Sequence, residues 1–499
     1  MYGLPIAKGV AMKTFVDYAR HAALKAVLCA SLLGAAVMLA CAAEPATGRL
    51  GQSSAGLWFD IAPLVEWTNR PALSTSDKVS PDDLAWFYAR PALASLGFQV
   101  RTGPLRAAMS VELQQDPGEL LVGGSLTNLP ISHDGKIFCS ATNYPSVGFL
   151  EGEGQGWHFS LGRRAINLGP GHYSLTVSGQ NPWYDHALGG LSARLGSGST
   201  DYDFLAINVQ NRSDDGKYLF MHRLQLDFPV WSLGFSEYNL VARNALDFQD
   251  IGPFLVYHHL FAGKSNVMAQ LDAELRPVAT LRLYGEALVD DFRLASESSS
   301  SNPNAFGFHA GLEWAILPAL DYFRPRFFRK DYATSIGPSH LQGELIASLE
   351  WYWASTYLYR RSSSAPNEAY FSRYFLQSNN LGWQIVEPWF SYPLGPDRMM
   401  FSARLAYAKS HIAASWRAYF MILGAESDET TYAAPYADNW LGPQSPVSYS
   451  AHTDISFEYM LWHSTLFRSA VSLDWRSANT AVFSVSFGLV QRLGVGTTE

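Results

Sequence analysis

The chain has 499 residues, of which 14% are aromatic and 16% charged, with a mean hydropathy of −0.04 and a formal net charge of −8 at pH 7. The charged fraction is low for a soluble protein, where about 25% is usual. The acidic balance, with no basic patch in the sequence, argues against nucleic acid as a partner. Beyond residue 43, no segment approaches about 18 uninterrupted apolar residues, which excludes a helical membrane protein.

The N-terminus has the pattern of an export signal. A basic region with Lys13, Arg20 and Lys25 precedes an apolar run at 26–43, and the run ends in the small-x-small cleavage pattern Ala40-Cys41-Ala42. We therefore expect residues 1–43 to form a cleaved signal peptide and residues 44–499 to form one mature domain.

Two alternatives to a cleaved signal stay open at this stage. The apolar run is marginal for an uncleaved membrane anchor, which needs about 20 apolar residues. Lipidation of Cys41 is the second alternative, although Leu39 occupies a position where a lipoprotein signal usually has a small residue. Cys139 is the one cysteine beyond residue 43, so we expect no intrachain disulfide.

Along most of the mature chain, apolar and polar residues alternate with a period of two, which is the pattern of β-strands. Between residues 267 and 275, one parity is Val267, Ala269, Leu271, Ala273 and Leu275, and the other is Met268, Gln270, Asp272 and Glu274. In chain order, the segments with this pattern are 56–68, 105–114, 220–228, 231–236, 267–276, 281–290, 341–351, 401–407, 467–476 and 483–489.

Charged residues are nearly absent from the apolar parity of these segments. His222 is a polar residue on the apolar parity of segment 220–228. A charge that faces lipid costs about 2–4 kcal/mol at the membrane midplane, so a bilayer explains the sorting. Short connections (229–230, 277–278) alternate with long ones (242–265, 294–304), as in barrels with short periplasmic turns and longer extracellular loops. The long segment 317–339 breaks the rule, and we expect a short helix there at one rim.

These features predict an all-β fold, a transmembrane antiparallel β-barrel of roughly 18 strands in the outer membrane of a diderm bacterium. The expected partners are outer-membrane lipid and the barrel-assembly machinery. The excess of aromatic residues fits the girdles that such barrels carry at both interfaces.

The sequence contains no convincing catalytic motif, and we expect a protein that is not an enzyme and needs no cofactor or metal. His258 and His259 precede Ser265, which raises the alternative of a hydrolase, but proximity in sequence does not make a catalytic triad. No His/Cys cluster has zinc-site spacing. The segment Leu168-Gly169-Pro170-Gly171 predicts a turn and lacks the lysine of a phosphate-binding loop.

The acid-rich polar parity of two neighbouring strands is the most informative constellation. It contains Asp272, Glu274, Glu286 and Asp290, together with Arg223, Arg276 and Arg282. One interpretation is a solvated lumen with salt bridges across it. The other is a polar site for a carbohydrate, in which Tyr284 would stack on a sugar beside Glu286; calcium is a further alternative.

Five blocks between residues 157 and 292 resemble the Wzi-like capsule-assembly family of outer-membrane barrels. They are Leu161-Gly162-Arg163-Arg164 with Leu168-Gly169-Pro170-Gly171; 224–228 with 233–237; 253–259; Asn266 with Leu271-Asp272; and Leu283-Tyr284-Gly285-Glu286 with Asp290-Asp291-Phe292. The resemblance implies a barrel of about 18 strands that associates surface polysaccharide with the cell, without catalysis. The family positions are matched by Arg164, Glu237, Asp272, Glu286, Asp290 and Asp291; Tyr284 completes the candidate polysaccharide site.

Our first hypothesis is therefore a non-enzymatic barrel that holds or helps to assemble surface polysaccharide. The second is a porin-like diffusion channel for small solutes. An outer-membrane hydrolase and a purely structural surface antigen are further alternatives.

Overall fold

The computed structural model describes residues 54–72, 80–115, 127–129, 140–141, 147–181, 183–211, 216–242, 251–252, 257, 265–292, 303–318, 343–360, 375–376, 385–386, 389–409, 411–426, 440–462, 464–477 and 481–496. The expected signal peptide (1–43), Cys139 and the pair His258-His259 lie outside these residues.

The described chain forms twenty-two strands and one helix with defined bounds; Ile251 and Tyr257 are also helical. The first elements are β1 (Ser54–Ile61), β2 (Leu64–Thr68), α1 (Pro81–Ala89), β3 (Ala94–Thr102), β4 (Leu105–Gln115), β5 (Ser140–Ala141), β6 (Val147–Gly154), β7 (Trp157–Arg164), β8 (Tyr184–Leu195), β9 (Gly198–Asn211), β10 (Gly216–Asp227) and β11 (Trp231–Ala242). They are followed by β12 (Ser265–Val278), β13 (Leu281–Asp291), β14 (Ala305–Pro318), β15 (Gly343–Ala354), β16 (Phe375–Leu376), β17 (Ile385–Val386), β18 (Arg398–Lys409), β19 (Ile412–Leu423), β20 (Ser448–Trp462), β21 (Thr465–Arg476) and β22 (Val482–Gly496).

The strands close into a barrel because the two ends of the chain pair with each other. Every neighbouring pair is antiparallel, and β22 pairs with β1 and then with β2 in one continuous direction. β1 and β2 are therefore two halves of one strand. With β5, β16 and β17 set aside as two-residue strands, 18 strands form the wall, which confirms the predicted fold class.

The break between β1 and β2 falls at Ala62-Pro63, because proline cannot donate to a strand ladder. The side chain of Asn128 provides hydrogen-bond partners for the backbone groups at this break. It accepts a hydrogen bond from the Leu64 N–H (2.9 Å) and donates to the carbonyls of Ala62 (2.6 Å) and Pro91 (3.0 Å).

Short and long connections lie at opposite ends of the barrel. At the short-turn end, β3–β4, β6–β7, β8–β9, β10–β11, β12–β13, β18–β19 and β20–β21 are joined by two or three residues. The long-loop end carries the connections β4–β6, β7–β8, β11–β12, β13–β14, β15–β18 and β19–β20. The connection β14–β15 is the long exception at the short-turn end. Its residues 319–342 lie outside the described ones, so the helix expected at 317–339 stays a prediction.

The outward parity of the wall is apolar, as the alternation predicts. Large hydrophobic side chains exposed there include Leu161, Leu224, Phe235, Leu271, Trp314, Leu349, Phe401, Ile455, Val471 and Phe487. Closed barrels satisfy every strand hydrogen bond internally, which a structure surrounded by lipid requires. The protein is an outer-membrane β-barrel of a diderm bacterium.

Helix α1 begins at a capping box. The Ser80 hydroxyl accepts a hydrogen bond from the Asp83 N–H, and the Asp83 carboxylate accepts one from the Ser80 N–H. In the part of the chain that the structure describes, no helix is long and apolar enough to cross a membrane. α1 follows β2 and therefore lies at the long-loop end.

Candidate functional site in the barrel lumen

The connection between β7 and β8 folds into the lumen, and we call residues 165–183 the inward segment. Leu168, Tyr173, Leu175 and Val177 are buried in a hydrophobic core against lumen-facing side chains of the strands. Leu358, Tyr359, Trp389, Phe390 and Leu394, from the connection between β15 and β18, join the same core. The sequence pattern predicts a polar lumen, but at this level much of the lumen is filled with apolar side chains.

Acidic residues of the wall hold these segments by their backbones. The Glu286 carboxylate accepts a hydrogen bond from the Leu175 N–H (3.1 Å), and the Glu350 carboxylate accepts one from the His172 N–H (2.6 Å). Asp290 accepts one from the Tyr359 N–H (3.0 Å). A buried backbone N–H without a partner costs about 1–3 kcal/mol, so each carboxylate stabilises an otherwise unsatisfied donor.

The turn Gly169-Pro170-Gly171 approaches the wall so closely that no side chain fits. A Cβ on Gly169 would lie 2.1 Å from Glu286 Oε1. A Cβ on Gly171 would lie 2.2 Å from His309 Cε1. Gly169 also has a φ of +149°, which side-chain-bearing residues rarely adopt. The turn expected from the sequence is therefore a docking point for the inward segment.

Arginines on the same wall neutralise its acids. Arg223 forms a bidentate pair with Asp272 (2.5 and 2.8 Å). Arg282 bonds Glu274 (3.0 Å), donates to the Pro170 carbonyl, and has its guanidinium carbon 4.2 Å from the centre of the Tyr284 ring. Planar guanidinium groups suit such bidentate and stacked geometries.

We call this lumenal face of β10–β15 the covered wall. Eight of its ionisable side chains are at most 7% exposed, and Arg276 is 13% exposed; the eight are Arg223, Asp272, Glu274, Arg282, Glu286, His309, Glu313 and Glu350. The His309 ring stacks on the Tyr352 ring at 4.1 Å and lies between Glu286 and Glu350.

Four of the seven predicted ligand-binding residues lie on the covered wall. Asp272 and Glu286 are direct cross-strand neighbours, Tyr284 donates to Glu350 (2.9 Å), and Asp290 holds Tyr359. In this structure they bind the chain itself. Asp291 is partly exposed and pairs with Ala305 through the backbone, just after an irregularity in the register of β13 and β14.

Glu237 lies on the outward parity of β11, not in the lumen. It bonds His222 (2.9 Å), its cross-strand neighbour, and accepts a hydrogen bond from the Tyr257 N–H (3.0 Å). Tyr257 packs over Phe220 and Val241 on the same outer face. His222, an imperfection in the apolar pattern, is thus explained by a partner and by the cover that Tyr257 provides.

Arg164, at the end of β7, belongs to a different cluster. Its guanidinium donates to Glu151 (2.9 Å) and to Ser160 (2.9 Å), and stacks 4.0 Å from the centre of the Phe149 ring. The seven predicted residues therefore do not form a single site.

The neighbouring face of the lumen, on β18–β22, has accessible charges, and we call it the open wall; its first strand, β18, pairs with β15 of the covered wall. Arg417 is 33% exposed, Asp474 39% and Arg468 46%. Arg417 bonds Asp454 (2.7 Å), and His452 lies between Asp454 (3.0 Å) and Asp474 (2.6 Å).

A row of small side chains crosses the open wall, nearer the short-turn end than Arg417. Consecutive cross-strand partners are Ala406, Ser415, Ser456, Ala470 and Ser486. Small side chains on the lumenal parity leave space between this wall and the covered one.

Contacts from the open wall to the rest of the lumen occur at more than one level. Arg417 donates to Gln180 of the inward segment (3.4 Å), which marks a constriction. At the long-loop end, Asp82 of α1 pairs with Arg476 of β21 and accepts a hydrogen bond from Tyr392 (2.9 Å). α1 therefore lies across the mouth of the passage along the open wall.

Sequence reasoning missed several lumenal residues. His309 and Glu313 share the parity of Gly307 and Gly311 in β14, so the alternation there could have revealed them. The role of the inward segment left no comparable signal, because its apolar residues resemble those of any core.

The described residues contain no cluster of three or more His, Cys, Asp or Glu side chains that could hold a metal ion. Ser265 begins β12, whereas the histidines of the hydrolase alternative lie outside the described residues, so its geometry stays open.

No protein-family model matches the chain, and no curated protein matches it in sequence. Solved structures similar to it include OccK5 (OpdH) of Pseudomonas aeruginosa, with 6% identity and a TM-score of 0.43 over 90% of this chain and 100% of the other. OprD of the same organism has 8% identity and a TM-score of 0.42 over 89% and 96%. OccAB4 of Acinetobacter baumannii has 8% identity and a TM-score of 0.43 over 91% and 100%. Values this low transfer no function to this chain.

Proposed function

We propose that the protein is a porin-like channel through which small solutes diffuse along the open wall. The observation that carries the proposal is the contrast in exposure between the two walls. Charged side chains of the open wall are accessible to solvent, whereas those of the covered wall lie beneath the inward segment. Charges accessible inside a membrane barrel indicate a water-filled path, because hydration offsets their desolvation cost.

The constriction makes the channel selective rather than general. The inward segment and the connection from β15 to β18 occupy the covered side, and Arg417 reaches Gln180 across the remaining space. A solute must pass beside charged groups of the open wall, so its charge as well as its size decides its rate. Outer-membrane lipid surrounds the barrel in this proposal, and the barrel-assembly machinery inserts it.

A matched pair of substitutions on β20 tests the path. Ser456 is part of the small row and faces the lumen, whereas its neighbour Ile455 is 54% exposed on the outer face. We expect Ser456→Trp to lower single-channel conductance in planar bilayers and to slow liposome swelling with neutral sugars. Ile455→Trp should leave both unchanged.

Heat-modifiable gel migration shows whether each variant has folded. Equal conductance in folded Ser456→Trp and wild type would contradict the proposed path. A wild-type barrel that never conducts would reject the channel itself.

A second candidate, association with surface polysaccharide, is favoured by one observation. Blocks of the capsule-assembly resemblance that are far apart in sequence meet in space, since the Gly169-Pro170-Gly171 turn contacts Glu286 and Arg282. This convergence supports a shared lumenal architecture more than a shared ligand. Glycan-array binding on the same refolded sample distinguishes the candidates: retention of a polysaccharide without conductance favours the second.

A further inference from the structure

Arg404 of β18 is an ionisable side chain of the open wall that has no partner among the described residues. It is partly exposed, and no hydrogen bond or ion pair with a described residue involves its guanidinium. Its cross-strand neighbours are Ser348 and Arg417, so a second cation lies directly opposite. Arg417 is neutralised by Asp454, but Arg404 has no such carboxylate.

The carboxylate of Glu350, on the strand next to Arg404, is already engaged. It accepts hydrogen bonds from the His172 N–H (2.6 Å), the Tyr284 hydroxyl (2.9 Å) and the Ser402 hydroxyl (3.2 Å). Ser402 lies two residues from Arg404 on the same face of β18, about 7 Å along the strand. These contacts bring His172 of the inward segment into the neighbourhood of Arg404.

The imidazole of His172 is the second polar group there without a partner. Both of its ring nitrogens are buried, and neither has a hydrogen-bond partner among the described residues. Burial lowers the pKa of His172 to about 3, and the nearby cations Arg417 and Arg404 add to the effect. The ring is therefore neutral at pH 7 and has one N–H to donate.

We propose that Arg404, with His172 and Arg417 beside it, forms a subsite in the constriction for the oxyanion group of a passing solute, a carboxylate or a phosphate. A guanidinium presents two parallel N–H groups that match two oxygens of such an anion. A buried polar group without a partner is rare in native proteins and calls for a ligand or another cause. The subsite rests on the proposed passage along the open wall and names the class of solute that this passage selects.

The subsite is tested first by binding, independently of conduction. Inorganic phosphate and acetate are titrated into the refolded full barrel by calorimetry, with glycerol as the uncharged reference. Arg404→Gln should weaken phosphate and acetate binding by about 10-fold or more, the size expected for loss of a charge-assisted hydrogen bond. Because the part of the chain that the structure describes gives Arg404 no partner, this variant should retain wild-type heat-modifiable migration.

Arg468→Gln is the matched control. Arg468 lies on the same wall but is paired with Glu458 (2.7 Å), so its loss should leave phosphate binding unchanged. Absence of phosphate and acetate binding in wild type, or equal binding in wild type and Arg404→Gln, overturns the subsite. A drop of the same size in the Arg468→Gln control also overturns it, since the effect would then be one of general charge.

Conduction is measured separately on the same samples. The ratio of anion to cation permeability, from reversal potentials in potassium acetate gradients, should fall in Arg404→Gln by more than in Arg468→Gln, because the charge of Arg468 is balanced by Glu458. Arg404-dependent binding without conduction upholds the subsite and rejects the channel. Conduction without Arg404-dependent binding upholds the channel and rejects the subsite.

Discussion

The covered wall and the open wall are built from the same kind of strand, with the same alternation, and yet their charges meet opposite environments. Arg282 on the covered wall is 0% exposed, whereas Arg468 on the open wall is 46% exposed. The difference arises because the connections bury the charged side chains of the covered wall, whereas on the open wall they pack against Met400, Tyr419 and Met421 and leave Arg468 and Asp474 accessible. A charge on the covered wall is therefore structural, and a charge on the open wall is available to a solute.

The largest effect that follows from this comparison is a difference in stability: Arg282 should contribute much more than Arg468 to the free energy of unfolding. Arg282→Ala removes a fully buried cation that pairs with Glu274 and lies near Glu313 (3.7 Å); Arg276 (2.7 Å) then remains beside Glu274. Loss of one partner from a buried pair costs about 3–5 kcal/mol. Arg468→Ala breaks an exposed pair and should cost less than about 1 kcal/mol. Urea unfolding in lipid vesicles, followed by tryptophan fluorescence, measures both, and equal losses would contradict the division into two walls.

The next largest effect is expected where the inward segment docks on the covered wall. In Gly171→Ala, the new Cβ would lie 2.2 Å from His309 Cε1 and 2.8 Å from the Tyr173 carbonyl oxygen. Overpacking of this kind costs about 1–3 kcal/mol, and it should push the segment away from the wall. We expect lower stability and an altered single-channel conductance.

Gly189→Ala on β8 is the control for this substitution, because no atom lies within 4 Å of its added Cβ. A Gly171→Ala protein with wild-type stability and conductance would show that the segment can move without consequence.

How far the sequence predicts this molecule depends on the kind of feature. The alternation of apolar and polar residues predicts the strands, the direction of their side chains and the lipid-facing exterior. It is visible in the sequence because a charge that faces lipid is costly and is therefore rare on that parity. The strand 267–276 is an example, since each of its predicted outward residues lies outward in β12.

The lumen was less predictable, because parity separates inside from outside but does not distinguish water from protein. Asp272 and Asp454 occupy equivalent lumenal positions, yet one is covered and the other lines the passage. Glu237 was placed among ligand-binding residues by the resemblance alone, and its outward parity shows why the pattern around it contains His222. Helix α1 is short and was not predicted, because its stability depends on contacts with distant strands.

A smaller effect is expected from pH, through His172. Its folded-state pKa of about 3 lies below the value of about 6.5 in an unfolded chain, so the unfolded chain binds more protons between these values. Its contribution to stability is complete above pH 6.5 and is lost as the pH falls. Between pH 6.5 and 5.5 the expected loss is about 1 kcal/mol. In His172→Gln this loss of stability should be absent. Unfolding free energies that fall equally with pH in wild type and variant would refute the assignment to His172.

The smallest expected effect concerns the ion pair that holds α1 over the mouth of the open wall. Asp82 and Arg476 are 41% and 53% exposed, so their pair contributes at most about 1 kcal/mol. Its removal by Arg476→Ala should increase the time that α1 spends away from the wall by up to about five-fold, with more frequent high-conductance events. High salt should produce the same change in wild type, because it screens exposed charges. Asp60→Ala breaks a comparable pair with Arg492 at the opposite end of the barrel, where there is no helix among the described residues, and should leave gating unchanged. If both variants gate alike, the helix does not control the passage, and the open wall is open at both ends.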